Sequence, residues 1–412
     1  MLTLAPDPAA QKAARSQVDA RRWSQSGWDE GDDLLWGLCK GSGSKPYQVA
    51  VDVAGPAYKC SCPSRKIPCK HALGLLLRWS HGAVETAGPP DWVREWAAAR
   101  QARLARAATA KPREANPATA ARRVERVAGG IDELSRWLSD QVRTGLAGLT
   151  TAGYEPLDNL AARLIDAQAP GAAGLVRRVA GSAVSGSPER LVADVGLLHL
   201  LASGFRRLDE LPEGLAASVR TRVGLPVPVD EVMKQPPVRD RWTAIGVRAE
   251  MDERLTTVRA WLRGVDTGRM ALVLSFAAPG QAVSTDWVLG LTTDADLHFY
   301  PGGTPLRAIG GTRYGAATGE PPADRVDAAL HSYAAALAGD PWLDRWPVLL
   351  DAVVPTETHL VEPGGPALPV AGGAPWRLVG AAGGHPCRVM AEYGPAGARP
   401  LAAWVDGRVV VA

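Results

Sequence analysis

The sequence predicts a multidomain α+β protein with a small, cysteine-containing ββα unit near its start, a helical middle region and a mostly antiparallel β domain at the end. Cysteine and histidine residues cluster within residues 60–71. Apolar residues then recur at helical spacing, and from residue 238 onward they alternate with a period of two, which is typical of strands. At 412 residues the chain is long enough for several domains.

These patterns divide the chain into five segments, and we expect a cytoplasmic protein that makes no membrane contact. No basic segment precedes an apolar run at the N-terminus, and no uninterrupted apolar stretch is long enough to span a bilayer. The predicted segments are an N-terminal extension (1–35), the cysteine-containing unit (36–80), a linker with a basic helix (81–128), a helical region (129–237) and a mostly antiparallel β domain (238–412).

The ββα unit follows from local patterning. Residues 46–53 alternate as a short strand, and a turn precedes a second strand over residues 57–62. Pro63 ends that strand, and residues 71–79 then carry leucines at helical spacing. Four tryptophans flank this unit, and we interpret them as packing residues rather than as a surface for stacking bases, because so small a unit needs its large apolar groups: Trp23, Trp28, Trp36 and Trp79.

Four side chains within this unit form a candidate metal site. Cys60 and Cys62 are two residues apart on a strand and point the same way, while Cys69 and His71 lie where the helix begins. Three thiolates and one imidazole are a ligand set that zinc prefers, and four protein ligands leave no position open for water. The spacing therefore predicts a structural rather than a catalytic Zn²⁺ site.

The pattern resembles a known family. The CxC…CxH spacing, preceded by a hairpin and followed by a leucine-rich helix, resembles the SWIM-type zinc finger, and residues 36–47 and 60–71 are similar to the large SWIM proteins of actinobacteria. The resemblance implies zinc binding with contacts to DNA or to protein. It also implies a working link to MoxR-type AAA+ ATPases and von Willebrand-type partners.

Charge is distributed unevenly along the chain. Residues 1–128 hold 20 basic and 12 acidic side chains, whereas the rest of the chain has a net charge of −5. Between residues 40 and 78 there are seven basic side chains and one acid. Such a cluster is typical of a protein that binds DNA, RNA or an acidic protein partner, although a solvated face would look the same. The candidate binding residues are Lys40, Lys45, Lys59, Arg65, Lys66 and Lys70, of which we expect Lys59 and Lys70 also to favour deprotonated thiols.

The later segments carry weaker signals. Ser187 and Pro188 suit the start of a helix, and Asp406 with Gly407 suits a hairpin turn. A single helix over residues 323–337 interrupts the strands of the β domain. The series Asp294, Asp296 and His298 is predicted to be a turn, with a second metal site as the alternative.

The sequence as a whole predicts a non-enzymatic, zinc-dependent binding module. Nucleic-acid binding is the first hypothesis, and a protein–protein adaptor, for example for a MoxR-type ATPase assembly, is the alternative. An enzyme within the C-terminal domain is a third hypothesis, although we find no catalytic motif in a convincing context.

Overall fold

The structure of the protein is a computed structural model that describes residues 8–41, 43, 45–53, 57–64, 68–109, 117–151, 153–185, 187–251, 255–277, 285 and 287–412. Over these ranges the chain has a mixed α+β architecture, which confirms the predicted fold class. None of the helices described in these ranges combines the length and the apolar character needed to cross a membrane.

Residues 8–109 form a first body, which we call the finger unit. Its four-stranded antiparallel sheet has the order β1-β2-β3-β4, so that each strand pairs with the next along the chain. Three helices and a 3₁₀ turn over Ala20–Arg22 surround the sheet. The elements are α1 (Pro8–Arg15), β1 (Trp23–Asp29), β2 (Leu34–Cys39), β3 (Tyr47–Asp52), β4 (Ala57–Cys60), α2 (Lys70–Ser80) and α3 (Asp91–Thr109).

Both faces of this sheet are covered by helices. On one face, Leu35 and Val49 pack with Leu75 of α2, and α1 in turn covers the outer side of α2. On the other face, Trp36 and Val93 pack together, and Val93 belongs to α3. The finger sheet is therefore the middle layer of a helix-sheet-helix sandwich.

The finger unit is larger than the predicted ββα unit. Strand β1 lies wholly in the predicted N-terminal extension (1–35), and the predicted linker is also engaged, because Thr86 bridges to Trp28 of β1. The predicted basic helix within 81–128 corresponds to α3, which covers the sheet. These two segments are polar and bury only a few side chains each, so their sequences did not indicate that they belong to the finger unit.

The helical middle region contains seven described α-helices, and a 3₁₀ turn over Leu208–Glu210 joins two of them. Its core includes Leu134, Leu160, Val179 and Leu198, which are 0 % exposed. Ser187 and Pro188 begin a helix, as predicted. The helices are α4 (Pro117–Thr144), α5 (Ala147–Thr151), α6 (Glu155–Asp166), α7 (Pro170–Ser185), α8 (Pro188–Arg206), α9 (Glu213–Val223) and α10 (Val229–Val232).

A closed five-stranded barrel follows the helical region. Its strand order is β5-β6-β7-β9-β8, with one parallel pair between β7 and β9. Trp242 is buried inside, and its indole Nε1 donates to the carbonyl oxygen of Ala295 at 3.1 Å. The strands are β5 (Val238–Met251), β6 (Thr256–Gly264), β7 (Met270–Ala277), β8 (Thr292–Phe299) and β9 (Arg307–Ala317).

A six-stranded antiparallel sheet with two helices completes the chain. The sheet order is β12-β11-β10-β13-β14-β15, and Asp406 and Gly407 form the predicted turn between its last two strands. The predicted C-terminal β domain is thus a barrel and a separate sheet. The elements are α11 (Val326–Gly339), β10 (Trp346–Pro355), β11 (His359–Val361), β12 (Ala367–Pro369), α12 (Trp376–Ala382), β13 (Cys387–Gly394), β14 (Gly397–Val405) and β15 (Arg408–Val411).

Specific side chains join the helical region, the barrel and the C-terminal sheet. Trp342, in the loop before β10, inserts into the core of the helical region, and its Nε1 donates to the carbonyl of Leu197 at 2.9 Å. Trp261 on the outer face of the barrel donates to Glu392 of the sheet at 2.8 Å. In contrast, the apolar clusters of the finger unit contain no described residue of the later segments.

Candidate metal centre

The four predicted ligands come together where β4 ends and α2 begins. Cys60 is the last residue of β4, and Cys62 lies two residues beyond it. The backbone of Ser61 still pairs with β3, because its N–H donates to the carbonyl of Gln48 at 3.0 Å. Cys69 is the N-cap residue of α2, and His71 is the second residue of the helix.

The geometry of the cluster fits a tetrahedral zinc ion. The ligand atoms of the three cysteines and His71 all lie within 4.8 Å of one another, and Cys60 Sγ is 3.8 Å from His71 Nδ1. In a tetrahedron with ordinary Zn–S and Zn–N bonds, ligand atoms are about 3.6–3.8 Å apart. In the described part of the chain, no other group of three or more His, Cys, Asp or Glu side chains is placed so that it could hold a metal ion.

Crowding among the thiols perturbs their protonation. Hydrogen bonds to Cys62 and Cys69, together with burial, raise the pKa of the Cys60 thiol. Hydrogen bonds from Cys60 and Cys69 lower the pKa of Cys62. Binding of a metal requires every ligand thiol to lose its proton, which places negative charge on three neighbouring thiolates. A divalent cation compensates this charge, which is the electrostatic reason why the cluster suits zinc.

Neighbouring groups support the ligands. The backbone N–H groups of Cys62 and Ser64 donate to the thiols of Cys60 and Cys62 respectively, and both interactions lower the pKa of the acceptor. The ring of Tyr47 lies against the imidazole of His71, with the ring centroids 5.0 Å apart. Hydrogen bonds and packing around metal ligands fix their orientation, so these groups help to hold the site in place.

Cys39 is a buried thiol outside the ligand cluster. It is 0 % exposed and donates to the side-chain oxygen of Gln17 at 3.8 Å. Burial raises its pKa to about 11, which keeps it protonated near neutral pH. Cys39 therefore serves as a small packing residue.

Three of the predicted basic residues lie at the end of the finger unit that holds the zinc ligands, which we call the metal end. Lys40 and Lys45 belong to the β2–β3 connection, and Lys70 is the first residue of α2; all three are exposed. The pairing of Cys39 with Tyr47, whose ring contacts His71, places this connection beside the start of α2.

Lys59 lies on the opposite face of the sheet. It pairs with Ala50, which packs with α3, whereas its neighbour Cys60 pairs with Val49 on the α2 face. The Lys59 ammonium lies 5.8 Å from the centre of the Trp92 ring. The expectation that Lys59 tunes the thiols is therefore wrong, because successive residues of a strand face opposite ways.

The remaining residues of the predicted basic stretch either lie outside the described residues or are buried. Arg65 and Lys66 lie outside the described residues. Arg78, which contributed to the predicted basic stretch, is 8 % exposed and donates to the carbonyls of Val18 and Ala83. It therefore stabilises the finger unit instead of contributing to a binding surface.

Sequence reasoning missed one basic residue at the metal end and an acidic patch at the other end. Arg22 is exposed, and its carbonyl accepts from the N–H of Lys40 at 2.7 Å. The hairpin between β1 and β2, at the far end of the sheet, carries Glu30, Asp32 and Asp33, all exposed. The finger unit is thus electrically polarised, and only the strand register reveals this. We define the basic end as Arg22, Lys40, Lys45 and Lys70.

The helix that follows the ligands has almost no free surface. Every residue from His71 to Arg78 is buried, between the sheet on one side and α1 on the other. A helix that reads bases in the major groove must present side chains to the DNA. Helix α2 is therefore a structural element of the unit.

The predicted turn at residues 294–298 is wrong, because Asp294, Asp296 and His298 lie within β8. Each has a protein partner: Arg239 for Asp294, Tyr314 for Asp296 and the carbonyl of Gln235 for His298. These contacts hold the three side chains on the outer surface of the barrel. Asp296 and His298 are buried at 9 % and 8 % exposure, so these polar residues of a strand were mistaken for turn residues.

Two stretches of the chain match known protein families. Residues 47–80 match the family model of the SWIM zinc finger, and residues 122–223 match that of the SWIM-associated four-helix bundle domain. The predicted resemblance is thus confirmed and extends to the helical region, where the sequence offered no sharp motif. No curated protein and no solved structure matches the chain. The finger match and the cluster geometry together identify a zinc-binding site at Cys60, Cys62, Cys69 and His71.

Proposed function

We propose that the protein is a non-enzymatic module that binds nucleic acid through the basic end of its finger unit. The observation that carries this proposal is the placement of four exposed cationic side chains beside the zinc ligands, while exposed acids occupy the opposite end of the same sheet. A zinc ion with four protein ligands has no open position for a substrate, so its role in the proposed module is to hold the basic end in shape.

The proposed contact is with the phosphate backbone. Lysine and arginine side chains that pair with phosphates release condensed counterions, so that affinity falls steeply as salt increases. Residues 71–78 of α2 are covered on both sides, so beyond its first residue, Lys70, the body of the helix is closed to base edges. The basic end is therefore expected to bind many sequences with similar affinity.

A protein–protein adaptor is the second candidate, and the burial of α2 favours it. A basic surface without a base-reading element suits an acidic protein as well as it suits DNA or RNA. The resemblance to SWIM proteins connects this alternative with a MoxR-type ATPase assembly. The two candidates use the same side chains and differ in the partner that these side chains neutralise.

The decisive experiment replaces two lysines of the basic end that are distant in sequence from the metal ligands. The double variant Lys40→Ala/Lys45→Ala should weaken binding to duplex DNA of any sequence. It should also make the slope of log affinity against log salt shallower by about 1.8, which is about 0.9 for each lost phosphate contact. The matched control is Lys59→Ala, because Lys59 lies against Trp92 on the opposite face.

Zinc content is measured in each variant, so that loss of the metal is not mistaken for loss of a contact. An unchanged salt slope in the double variant, with zinc retained, contradicts nucleic-acid binding by the basic end. If the same variant keeps its weak DNA binding but loses an acidic protein partner that copurifies after nuclease treatment, the adaptor function is supported instead.

A further inference from the structure

A cavity of about 300 Å³ lies between the barrel and the C-terminal sheet. Val247 and Arg248 of β5 line one side. The segment 371–375 and Arg399 of β14 line the other. Ligand sites commonly occupy clefts between domains, and this volume is at the lower end of their usual range.

Arg399 stands out among the residues that line the cavity. Its side chain is half-buried, yet within the described part of the chain it forms no ion pair with a carboxylate. A guanidinium that is partly removed from water without a counter-charge loses favourable hydration. A charge-assisted hydrogen bond to a neighbouring anion compensates this loss of free energy. Arg399 therefore marks the point in the cavity where negative charge is most favourable.

The other arginine that lines the cavity, Arg248, belongs to a network of ion pairs. Glu392 is 4 % exposed, and both it and Glu250 are shared among several arginines. The network consists of Arg248, Arg259, Arg345, Glu250 and Glu392. Of its members only Arg248 lines the cavity, so Arg399 is the one lining side chain with a positive charge that this network does not pair.

Two glycines leave room beside Arg399. Gly372 and Gly373 have φ values of +84° and +101°, a region that favours glycine. A side chain at position 372 would come within 3.0 Å of the Arg399 guanidinium. The glycines thus keep this side of the cavity open, while the remaining lining is largely apolar, including Leu401 and Val411.

We propose that this cavity binds a small ligand that has a carboxylate or phosphate head and a short apolar body. The head would pair with Arg399, and the body would pack against Leu401 and Val411. The guanidinium of Arg399, which has no ion pair among the described residues, favours an anion over a neutral or cationic ligand of the same size. This site lies in the C-terminal part of the chain and is independent of the proposed function of the finger unit.

The test measures the binding of defined probes to the full-length protein by titration calorimetry and by NMR. Hexanoate and hexyl phosphate should bind, whereas hexanol and hexylammonium, which lack the anionic head, should bind far more weakly. Arg399→Gln should lower the affinity for both anions about tenfold or more, since a charge-assisted contact is lost. Arg399→Lys keeps the charge and should retain part of the binding.

Two further variants separate the cavity from general surface charge. Arg408→Gln removes an exposed arginine from the same sheet and should leave binding unchanged. Ala371→Leu fills the cavity without changing charge and should abolish binding of both probes. Equal binding of hexanoate and hexanol, or unchanged anion affinity in a folded Arg399→Gln protein, would overturn the proposal, as would no binding of either anion at millimolar concentration.

Discussion

Removal of zinc should unfold the finger unit and leave the rest of the chain folded. The perturbation is chelation, or the double variant Cys60→Ser/Cys69→Ser, which removes one ligand from each side of the site. Because the ligands join the end of β4 to the start of α2, their loss releases the connection between the sheet and the helix that covers it.

The free energy contributed by zinc is as large as the whole net stability expected of the finger unit. A structural zinc ion contributes about 10–16 kcal/mol of binding free energy in small fingers, and this energy is also folding free energy. A domain of ordinary size has a net stability of about 5–15 kcal/mol. Among the described residues, three separate apolar clusters hold the finger unit together, and none of them includes a residue beyond Ala97.

Hydrogen exchange followed by mass spectrometry measures the outcome region by region. Exchange should rise across β2, β3 and α2 after chelation, while α7, α8, β10 and β13 keep their protection, because their side chains pack in clusters without finger residues. Cys387→Ser is the matched control, since Cys387 is a buried cysteine of the C-terminal sheet. Loss of protection along the whole chain, or full protection of the finger unit without zinc, would refute this reasoning.

Three further predictions concern the zinc site and the junctions of the fold. The apparent zinc affinity should increase with pH, because Cys60, whose pKa is raised, must lose its proton to bind; competition with a chelator at several pH values measures this. Trp342→Ala should lower the free energy of unfolding by about 3–5 kcal/mol, since the indole is 3 % exposed in the helical core, and denaturant titration checks the value. Asp240→Ala should lower the free energy of unfolding by about 1–3 kcal/mol in the same assay, because the Asp240 carboxylate accepts hydrogen bonds from the backbone N–H groups of Asp266 and Thr267. For either variant, a loss near zero would contradict the role assigned to the replaced side chain.

The zinc ligands could be predicted from sequence because their geometry is local. Cys60 and Cys62 share a side of an extended segment, and Cys69 and His71 belong to a helix start. Twelve residues contain the whole ligand set, so no distant pairing had to be known. The helical and strand periods of the later segments were readable for the same reason, and the predicted fold class is confirmed.

The unpredicted features depend on long-range pairing. Strand β1 carries polar residues at most positions, and it becomes a strand because β2 and Thr86 pair with its two edges. Strand β8 points Asp294 and Asp296 away from the barrel interior, where they pair with side chains of neighbouring strands, and Asp296 is buried there. In both cases polar composition indicated a loop, and tertiary contacts decided otherwise.

The basic cluster shows how adjacency in sequence differs from adjacency in space. Lys59 and Lys70 both neighbour a zinc ligand, yet one lies against Trp92 on the α3 face and the other is exposed at the metal end. Arg22 is far from the cluster in sequence, but the hydrogen bond from Lys40 brings it alongside. A prediction from charge runs alone could not separate these cases.

The surfaces that remain open limit how the protein could recognise a nucleic acid. The outer face of the barrel carries Arg248, Arg259 and Trp261, a combination that elsewhere stacks and neutralises single strands. Here Trp261 is 2 % exposed and donates to Glu392, so the C-terminal sheet already covers this face. Because residues 71–78 of α2 are buried as well, neither this barrel face nor the body of the finger helix is free to read bases. Under the proposed function, we expect any sequence preference to come from the shape of the nucleic acid at the basic end of the finger unit, or from a partner protein.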